Sequence, residues 1–339
     1  MKRPHFTFNA KPKPVLSIVI CTYNNERALR LSLQHLALQM TPRLATEVVV
    51  VDNNCTDGTA QVVHEFIAQC TIPRLRYVVE TCQGQVHARV RGVRETTGDW
   101  IAFVDDDNLL QEGWIGAAVA FSRRNRRCGA FGGRIDIDWE TPPTRSIAAH
   151  NYAYAALDLG GSQPVRLEGE ARWKLRGAGL VCNRQALLST GWLDWQLCCG
   201  RRGLNTMAGD DLEIVMRIAR NGFEIWYEPR CRMKHLISTR RINDTYLLKL
   251  HAGFGLAHPM LTGMKRRQSF LAWGFSLLTF IGKQALRGSL LTMRATLRRP
   301  RWVEAKICWN YLCGTLAGIG PVLKMDRRTR SLWLGRVAT

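Results

Sequence analysis

Apolar and polar positions alternate in blocks through the first 125 residues of the chain. Uninterrupted apolar runs, such as 16–21 and 101–104, predict strands that are buried on both faces of a sheet. Leu29, Leu33 and Leu36 recur at helical spacing and predict an amphipathic helix. The pattern predicts strands at about 16–21, 47–52, 76–79 and 101–104, and helices at about 26–39, 60–68, 84–95 and 112–124. Because strand and helix alternate, we expect an α/β fold with a mostly parallel sheet flanked by helices.

The pattern is less regular after residue 125. One strand is predicted over 130–137, with Gly132 and Gly133 inside it. A second, glycine-punctuated segment at 173–183 leads into another strand. Its glycines, Gly177 and Gly179, either let the backbone approach a ligand closely or form a bulge.

A clean helix is predicted from Asp210 to about Asn221, stopped by Gly222. The residues expected on its buried side are Leu212, Val215, Ile218 and Ala219. A strand at 223–227 follows, and His235 lies just beyond it. Asp210 and Asp211 are either simple N-cap residues or a second acidic site, one that accepts a proton across a crevice from a metal site.

Three consecutive carboxylates, Asp105, Asp106 and Asp107, follow the apolar run at 101–104. Ligands of an open α/β sheet bind beyond the carboxyl ends of its strands. An acidic cluster at that place suits a hard divalent cation and a phosphorylated substrate. The alternative is that the carboxylates cap the next helix, where the helix dipole favours negative charge. Three adjacent carboxylates repel each other unless a cation lies among them, so a metal site is the favoured interpretation.

Polar side chains also follow the first two predicted strands. Thr22 and Asn24 come after the first strand, and Asp52 after the second, which together predict a nucleotide-sized crevice. Asp52 is expected to hydrogen-bond a base or ribose, with turn chemistry as the alternative, whereas Asp57 is expected to cap a helix. The chain has neither a GxGxxG nor a GxxxxGK[ST] motif, which excludes the usual dinucleotide and P-loop sites.

The net charge of +21 is concentrated near the end of the chain. From Arg232 to Thr339 there are 20 Lys and Arg against 3 Asp and Glu, while the rest has 28 against 24. Within a basic tail at 240–339, two uncharged apolar runs occupy 268–282 and 307–323, short of the roughly 20 residues that cross a bilayer. We expect amphipathic helices on an anionic membrane surface, with a re-entrant hairpin or a crossing pair as the alternative.

The basic, proline-rich residues 1–14 predict a disordered arm and lack the apolar core of a signal peptide. The chain has eleven cysteines, an odd number, with no CxxC pair, which is typical of reduced thiols. We therefore expect a cytoplasmic protein, associated with the cytoplasmic face of the inner membrane.

Five motifs together resemble family 2 glycosyltransferases of the GT-A fold. They are SIVICTYNN at 17–25, EVVVVDNNCTDGT at 47–59, ARVRGV at 88–93, DWIAFVDDDN at 99–108 and AGDDLEIVMRIARNGFEIWY at 208–227. The sequences of these motifs are most similar to those of polysaccharide-building members such as hormogonium polysaccharide glycosyltransferases. The resemblance implies a GT-A catalytic domain at 15–239, with a nucleotide-binding half at 15–125 and an acceptor half at 126–239. It also implies inverting transfer of a sugar from a nucleotide-diphosphate sugar to a saccharide or lipid-linked acceptor, in cell-surface polysaccharide synthesis.

The resemblance assigns roles on the donor side of this site. The residues that would line the nucleotide pocket are Thr22, Tyr23, Asn24, Glu26 and Asp52. Arg89 would approach the nucleotide or diphosphate, with Val90 where the family usually has Asn. Asp105 and Asp107 match the ends of the family's DxD motif and would bind a divalent metal, Mn or Mg, chiefly through Asp107, with Asp106 near the ribose or the metal.

On the acceptor side, the resemblance makes Asp211 the catalytic base. Asp210 stands where the family usually has Glu. His235 falls where some members place a metal-binding His, although an ordinary surface His is an equal alternative from the residue alone.

Three other functions are weaker interpretations. A nucleic-acid-binding protein would use the basic tail, but the tail's charge is interleaved with apolar runs and no nucleic-acid motif is present, so no nucleic-acid partner is expected. A metal-dependent nucleotidyltransferase would need a Gly/Arg/Lys phosphate loop near the first strand, which this chain lacks. A hydrolase with paired carboxylates would leave the polar strand ends unexplained.

Overall fold

A computed structural model describes residues 13–40, 45–200, 207–265, 268–297 and 302–335. The strands in these ranges are β1 Leu16–Thr22, β2 Thr46–Asp52, β3 Leu75–Val79, β4 Trp100–Asp105, β5 Asn108–Leu110, β6 Cys128–Gly132, β7 Ile135–Trp139, β8 Val165–Leu167, β9 Leu180–Asn183, β10 Glu224–Tyr227 and β11 Met233–Ile237. The predicted arm at 1–14 lies almost wholly outside the described residues.

Helices connect and cover these strands. They are α1 Glu26–Ala37, α2 Thr59–Ala68, α3 Gln85–Glu95, α4 Trp114–Arg124, α5 Arg145–Ala149, α6 Arg184–Leu188, α7 Asp210–Arg220, α8 Asp244–Lys265, α9 Phe270–Leu297, α10 Trp302–Leu323 and α11 Arg327–Trp333. Short 3₁₀ helices lie at Asn151–Tyr154, Gly169–Lys174 and Thr239–Arg241. The strands and helices predicted up to residue 124 are therefore confirmed, with ends that differ by one or two residues.

The central sheet has eight strands in the order β3-β2-β1-β4-β9-β6-β10-β8. β1 to β4 pair in parallel, as does β10 with β6, whereas β9 runs antiparallel between β4 and β6, and β8 antiparallel at the edge. The mostly parallel sheet is thus confirmed. The apolar strands predicted from their continuous runs, such as β2 and β4, form its fully buried centre.

The single strand predicted over 130–137 is wrong. It is two strands, β6 in the central sheet and β7 in a second sheet of order β5-β11-β7. Gly133 lies at the crossing, against the backbone carbonyl of Cys231, where a Cβ atom would clash. The absence of a side chain at Gly133 lets the chain leave one sheet for the other.

The buried face of α7 differs from the prediction in part. Val215 and Ile218 are buried as expected, but Leu212 and Ala219 are only half-buried. Glu213, with no exposed surface, points inward instead and accepts hydrogen bonds from the backbone of Leu197 and Cys198. A buried carboxylate with its own backbone donors could not be recognised from apolar periodicity.

The helices of the basic tail pack on the preceding part of the chain. An apolar cluster joins Met216 of α7 to Met260 of α8, Trp273 of α9 and Trp333 of α11. Arg220 of α7 donates hydrogen bonds to the carbonyls of Gly263 and Trp333. None of the helices in the described ranges is long and apolar enough to span a membrane.

We expect the close contact of α8 with α10 to be a stability determinant. A Cβ atom on Gly314 of α10 would clash with the backbone carbonyl of Ala252 in α8, whereas one on Gly320 would meet open space. Gly314→Ala should lower the free energy of unfolding by about 1–3 kcal/mol, since overpacking forces the helices apart. Thermal and urea denaturation measure this loss.

The matched control is Gly320→Ala in the same helix, which precedes Pro321 and should change stability by no more than about 1 kcal/mol, because the gain in helix propensity is offset by crowding against the proline ring. Equal effects of the two substitutions would contradict the proposed role of the α8–α10 contact.

Candidate active site

A cavity of about 1100 Å³ opens where β1 and β4 end. Asp105, Asp106 and Asp107 line it from the end of β4, and Asp210 and Asp211 from the start of α7. The two acidic groups, far apart in the chain, therefore share one cavity. Tail residues complete the wall, among them Leu250, Phe254 and His258 of α8 and Tyr311 of α10.

Arg89 of α3 joins the two acidic groups. Its guanidinium makes an ion pair with Asp210 and lies 3.4 Å from Oδ1 of Asp105. Arg89 is 3% exposed, and burial alone would lower its pKa, but the carboxylates of Asp210 and Asp105 outweigh burial and hold that pKa well above its ordinary value. For Asp210, burial raises the pKa of the carboxyl, and the positive charge of Arg89 opposes that rise. This cation lets like charges from β4 and α7 lie side by side.

Asp107 has two basic partners. Nη1 of Arg241 lies 2.6 Å from Oδ2 of Asp107, and Nε2 of His235 lies 3.3 Å from Oδ1. Burial alone would raise the pKa of Asp107, but His235 and Arg241 reverse the effect and hold it well below its ordinary value. Arg241 is held in turn by Tyr246, whose hydroxyl accepts a hydrogen bond from Nε at 3.0 Å. Asp107 is therefore an ionised, pre-positioned carboxylate.

Asp106 behaves in the opposite way from its neighbour. Its Oδ1 accepts a hydrogen bond of 2.8 Å from Asn25, a residue at the start of α1. Burial, together with the charge of Asp107, raises the pKa of Asp106 to about 7. Of the two adjacent carboxyls, Asp106 thus holds a proton below about pH 7 and Asp107 is ionised.

Asp211 is oriented by backbone groups. Gly177 donates its N–H to Oδ2 at 2.6 Å, and Leu212 donates its N–H to Oδ1 at 2.8 Å. A Cβ atom on Gly177 would lie 2.9 Å from the Cβ of Asp211 and 3.0 Å from Nη2 of Arg89. The close approach that was predicted at Gly177 is therefore an approach to Asp211. Each oxygen of the carboxylate keeps a lone pair that can accept a proton.

Thr22, Tyr23 and His235 also line the cavity, whereas Asn24, Glu26 and Asp52 are not among its lining residues. Asp52 accepts hydrogen bonds from the Tyr77 hydroxyl and the Cys55 N–H, at 2.6 and 2.7 Å. The role assigned to these three in nucleotide binding stays a prediction.

Asn24 and Asp57 serve the local turns. Asn24 adopts φ +48° and accepts a hydrogen bond from the N–H of Thr56. Asp57 accepts hydrogen bonds from the N–H groups of Glu26 and Thr59, and so caps the starts of both α1 and α2, as predicted. Each of the turns that follow β1 and β2 is therefore held by a side chain of the other turn, which accepts a hydrogen bond from its backbone.

Several cavity residues were missed by the sequence reasoning. They are Asn25, Arg176, Arg241 and Tyr246. Arg241 adjoins Arg240, and this pair comes directly after the strand that carries His235, a position that could have identified it. Arg176 stands beside Gly177, which the sequence did single out.

The donor set around Asp107 fits a divalent metal. Nδ1 of His235 lies 2.7 Å from the carbonyl of Tyr154 and must donate to it, so Nε2, which lies 3.3 Å from Oδ1 of Asp107, is the ring nitrogen that could ligate a metal. A ligand histidine typically donates its other N–H to a backbone carbonyl in this way. The described residues contain no group of three His, Cys, Asp or Glu ligands. One carboxylate and one imidazole suit a metal that also binds water and substrate phosphates.

The fold and the acidic cavity define a protein of the GT-A glycosyltransferase fold. The mannosyltransferase PcManGT from Pyrobaculum calidifontis, solved with GDP-Man and Mn²⁺, matches with a TM-score of 0.55 and 18% identity, over 91% of this chain and 88% of that one. GalNAc-T7, solved with UDP, GalNAc and Mn²⁺, matches with a TM-score of 0.52 and 14% identity, over 74% of this chain and 52% of that one. The predicted fold class is confirmed.

The sequence identifies the family. The profile of Glycosyl transferase family 2 matches residues 17–191, just over half of the chain, and the chain belongs to this family. The matched range holds β1 to β4 and the acidic turn that follows β4.

The chain is also similar to curated proteins. Glycosyltransferase AglE of Haloferax volcanii is 28% identical over 140 residues, which are 41% of this chain and 44% of that protein. Human polypeptide N-acetylgalactosaminyltransferase 9 is 24% identical over 249 residues, 68% of this chain and 39% of that protein. Glucosyl-dolichyl phosphate glucuronosyltransferase of Haloferax volcanii is 25% identical over 242 residues, 69% of this chain and 72% of that protein. The match thus spans less than half the length of the first two relatives, and the similarity to hormogonium enzymes stays a prediction.

The raised pKa of Asp106 predicts a pH-dependent stability in metal-free buffer. The folded protein holds this proton up to about pH 7, whereas the unfolded chain loses it near pH 4, so the carboxyl favours the folded state at low pH and this contribution is lost as pH rises through 7. Asp106→Asn keeps an oxygen for Asn25 and cannot ionise. Its stability gain over the wild type should be least at pH 4 and reach the order of a few kcal/mol above pH 7.

Thermal denaturation between pH 4 and 8 measures this difference. Glu112→Gln, which removes an exposed carboxylate, is the control and should give a small, pH-independent change. An equal gain for Asp106→Asn at pH 4 and pH 8 would show that Asp106 is not protonated in the folded protein.

Proposed function

We propose that this protein is an inverting glycosyltransferase that moves a sugar from a nucleotide-diphosphate sugar to a saccharide or lipid-linked acceptor in cell-surface polysaccharide synthesis. The observation that carries the proposal is that Asp107 and Asp211 line the same cavity. One carboxylate is placed among cations at the end of β4, and the other is held by backbone N–H groups at the start of α7.

Asp211 serves as the general base. The acceptor hydroxyl is a weak nucleophile, and its proton passes to a free lone pair of the Asp211 carboxylate as the oxygen attacks the anomeric carbon. The bond from that carbon to the diphosphate oxygen breaks in the same displacement. Attack from the face opposite the leaving group inverts the configuration, so no nucleophile from the enzyme is required.

The donor side stabilises negative charge. Asp107 and His235 would hold a divalent metal, Mn²⁺ or Mg²⁺, which when bound neutralises charge on the leaving diphosphate. Arg241 contacts Asp107 and Arg89 contacts Asp105, and Arg241 can pass from Asp107 to a phosphate oxygen. Asn25 fixes the neighbouring carboxyl of Asp106 by donating a hydrogen bond to it.

Related structures support the donor class and the metal. PcManGT was solved with GDP-Man and Mn²⁺, and GalNAc-T7 with UDP and Mn²⁺. The charge arrangement around Asp107 suits the same chemistry of a diphosphate and a divalent cation. We extend the role of the metal to this chain on both grounds.

We also propose that the tail binds an anionic membrane surface, at the cytoplasmic face of the inner membrane. Leu271, Phe275 and Leu278 of α9 are 84%, 74% and 68% exposed, and their spacing places them on one face of the helix. The cations Lys283 and Arg287, also exposed, follow farther along the same helix. An exposed apolar stripe followed by cations suits insertion among anionic lipid headgroups.

Replacement of the base gives the test of the proposed reaction. Asp211→Asn should lower kcat/KM for sugar transfer by about 10²–10⁴-fold, because the amide cannot take the acceptor proton. In the assay, the enzyme is incubated with each of a panel of nucleotide-diphosphate sugars and with a saccharide or lipid-linked acceptor, with and without Mn²⁺. Release of nucleoside diphosphate and formation of product measure turnover.

The matched control is Asp194→Asn, an exposed carboxylate outside the cavity lining, which should retain wild-type turnover. Near-normal transfer by Asp211→Asn would exclude it as the base. Release of pyrophosphate in place of nucleoside diphosphate would identify a nucleotidyltransferase instead.

Vesicle binding tests the tail. Leu271→Glu with Phe275→Glu should weaken flotation with vesicles of phosphatidylglycerol by about tenfold or more, since each lost apolar side chain removes on the order of 2 kcal/mol of burial. Leu38→Glu, at a leucine that is 86% exposed after α1, is the control and should bind as the wild type does. Failure of the wild type to float with anionic vesicles would refute the membrane proposal.

A further inference from the structure

Arg176 is a cation of the cavity that has no partner in the described part of the chain. It makes neither a hydrogen bond nor an ion pair there, and its Nε atom is buried without an acceptor. Arg89 and Arg241, which also line the cavity, differ because Arg89 pairs with Asp210 and Arg241 pairs with Asp107. Arg176 is therefore an arginine of the cavity whose donors are available to a ligand.

The nearby carboxylate does not satisfy Arg176. Asp211 is close enough to act on it electrostatically, but the Asp211 oxygens accept their hydrogen bonds from Gly177 and Leu212. Burial lowers the pKa of Arg176, which reflects the cost of keeping this charge away from water. Arg176 is half-buried, and a partly desolvated cation without a counterion is stabilised when an anion pairs with it.

The position of Arg176 in the cavity identifies which substrate that anion belongs to. Arg176 adjoins Gly177, whose N–H holds the base, whereas Arg241 and His235 contact the carboxylate on the donor side. Trp173, three residues earlier, also lines the cavity, and the ammonium of Lys265 lies 5.5 Å from its ring centroid. The segment around Arg176 thus presents an aromatic platform and cations beside the base.

We propose that Arg176 is a specificity residue that binds an anionic group of the acceptor, a phosphate or a carboxylate close to the hydroxyl that receives the sugar. A guanidinium recognises such groups with two parallel N–H donors. The anion stays on the acceptor throughout, and its pairing with Arg176 brings the neighbouring hydroxyl to Asp211. This inference rests on the proposed glycosyltransferase function, and it specifies the chemical class of the acceptor.

Affinity for matched pairs of compounds tests the proposal without requiring turnover. One pair is methyl glucuronide and methyl glucoside, which tests a sugar carboxylate. The other is glucosyl decyl phosphate and decyl glucoside, which tests the phosphate of a lipid-linked saccharide. Dissociation constants come from NMR titration of the full-length protein with Mn²⁺ and a nucleoside diphosphate present, so that donor-side cations are occupied.

The wild type should bind the anionic member of one pair about 10- to 100-fold more tightly than its neutral counterpart. Arg176→Gln should reduce this preference to within about threefold. Arg176→Lys should keep part of the preference, since an ammonium supplies the positive charge but not the two parallel donors of a guanidinium. Lys174→Gln, at an exposed cation that does not line the cavity, should keep the full preference. Thermal denaturation checks that each variant is folded.

The proposal is overturned if the wild type prefers neither anionic compound, or if Arg176→Gln keeps the preference of the wild type. The pair that shows the preference distinguishes a carboxylate from a lipid-linked phosphate. Sugar transfer to the same compounds is measured separately, so an anion preference without transfer would refute the proposed reaction and leave the anion site in place.

Discussion

The guanidinium of Arg89, buried between Asp105 and Asp210, is the contact on which the cavity depends. Carboxylates from the end of β4 and the start of α7 repel each other when they are brought together in a medium of low dielectric constant. Arg89 compensates for that repulsion, and α3 holds it in place by packing its apolar residues on the central sheet. Loss of this cation would leave buried charges unpaired, which is far more costly than loss of an exposed ion pair.

The same constraint explains the rest of the site. Asp107 is paired with Arg241 and His235, Asp106 holds a proton, and Asp211 accepts hydrogen bonds from two backbone N–H groups. Each buried negative charge thus has a partner before any ligand binds. Arg176 has no such partner in the described residues, and in this it differs from Arg89 and Arg241.

The tail combines two uses of apolar surface. α8 and α10 meet through Gly255, Gly314 and Gly318, where the backbones approach too closely for any side chain. Trp273 and Trp333 are buried against α8 in the same region. α8 and α10 also contribute to the wall of the cavity, so the tail helps to shape the site. One face of α9 stays exposed, and that face carries the proposed contact with lipid.

Local sequence patterns were enough to predict the strands of the parallel half, the acidic turn at Asp105–Asp107, and the helix that begins at Asp210. These follow from local rules, since a buried strand must be apolar along its whole length and a helix shows its period and its ends. Periodicity could not separate β6 from β7, because a contact with Cys231 far along the chain decides where one strand ends. The folded arrangement was needed to show that Arg241 pairs with Asp107, that Gly177 orients Asp211, and that Arg176 lies beside them without a partner among the described residues. Such pairings join residues remote in the chain, and only the folded arrangement of the elements brings their charges within reach of one another.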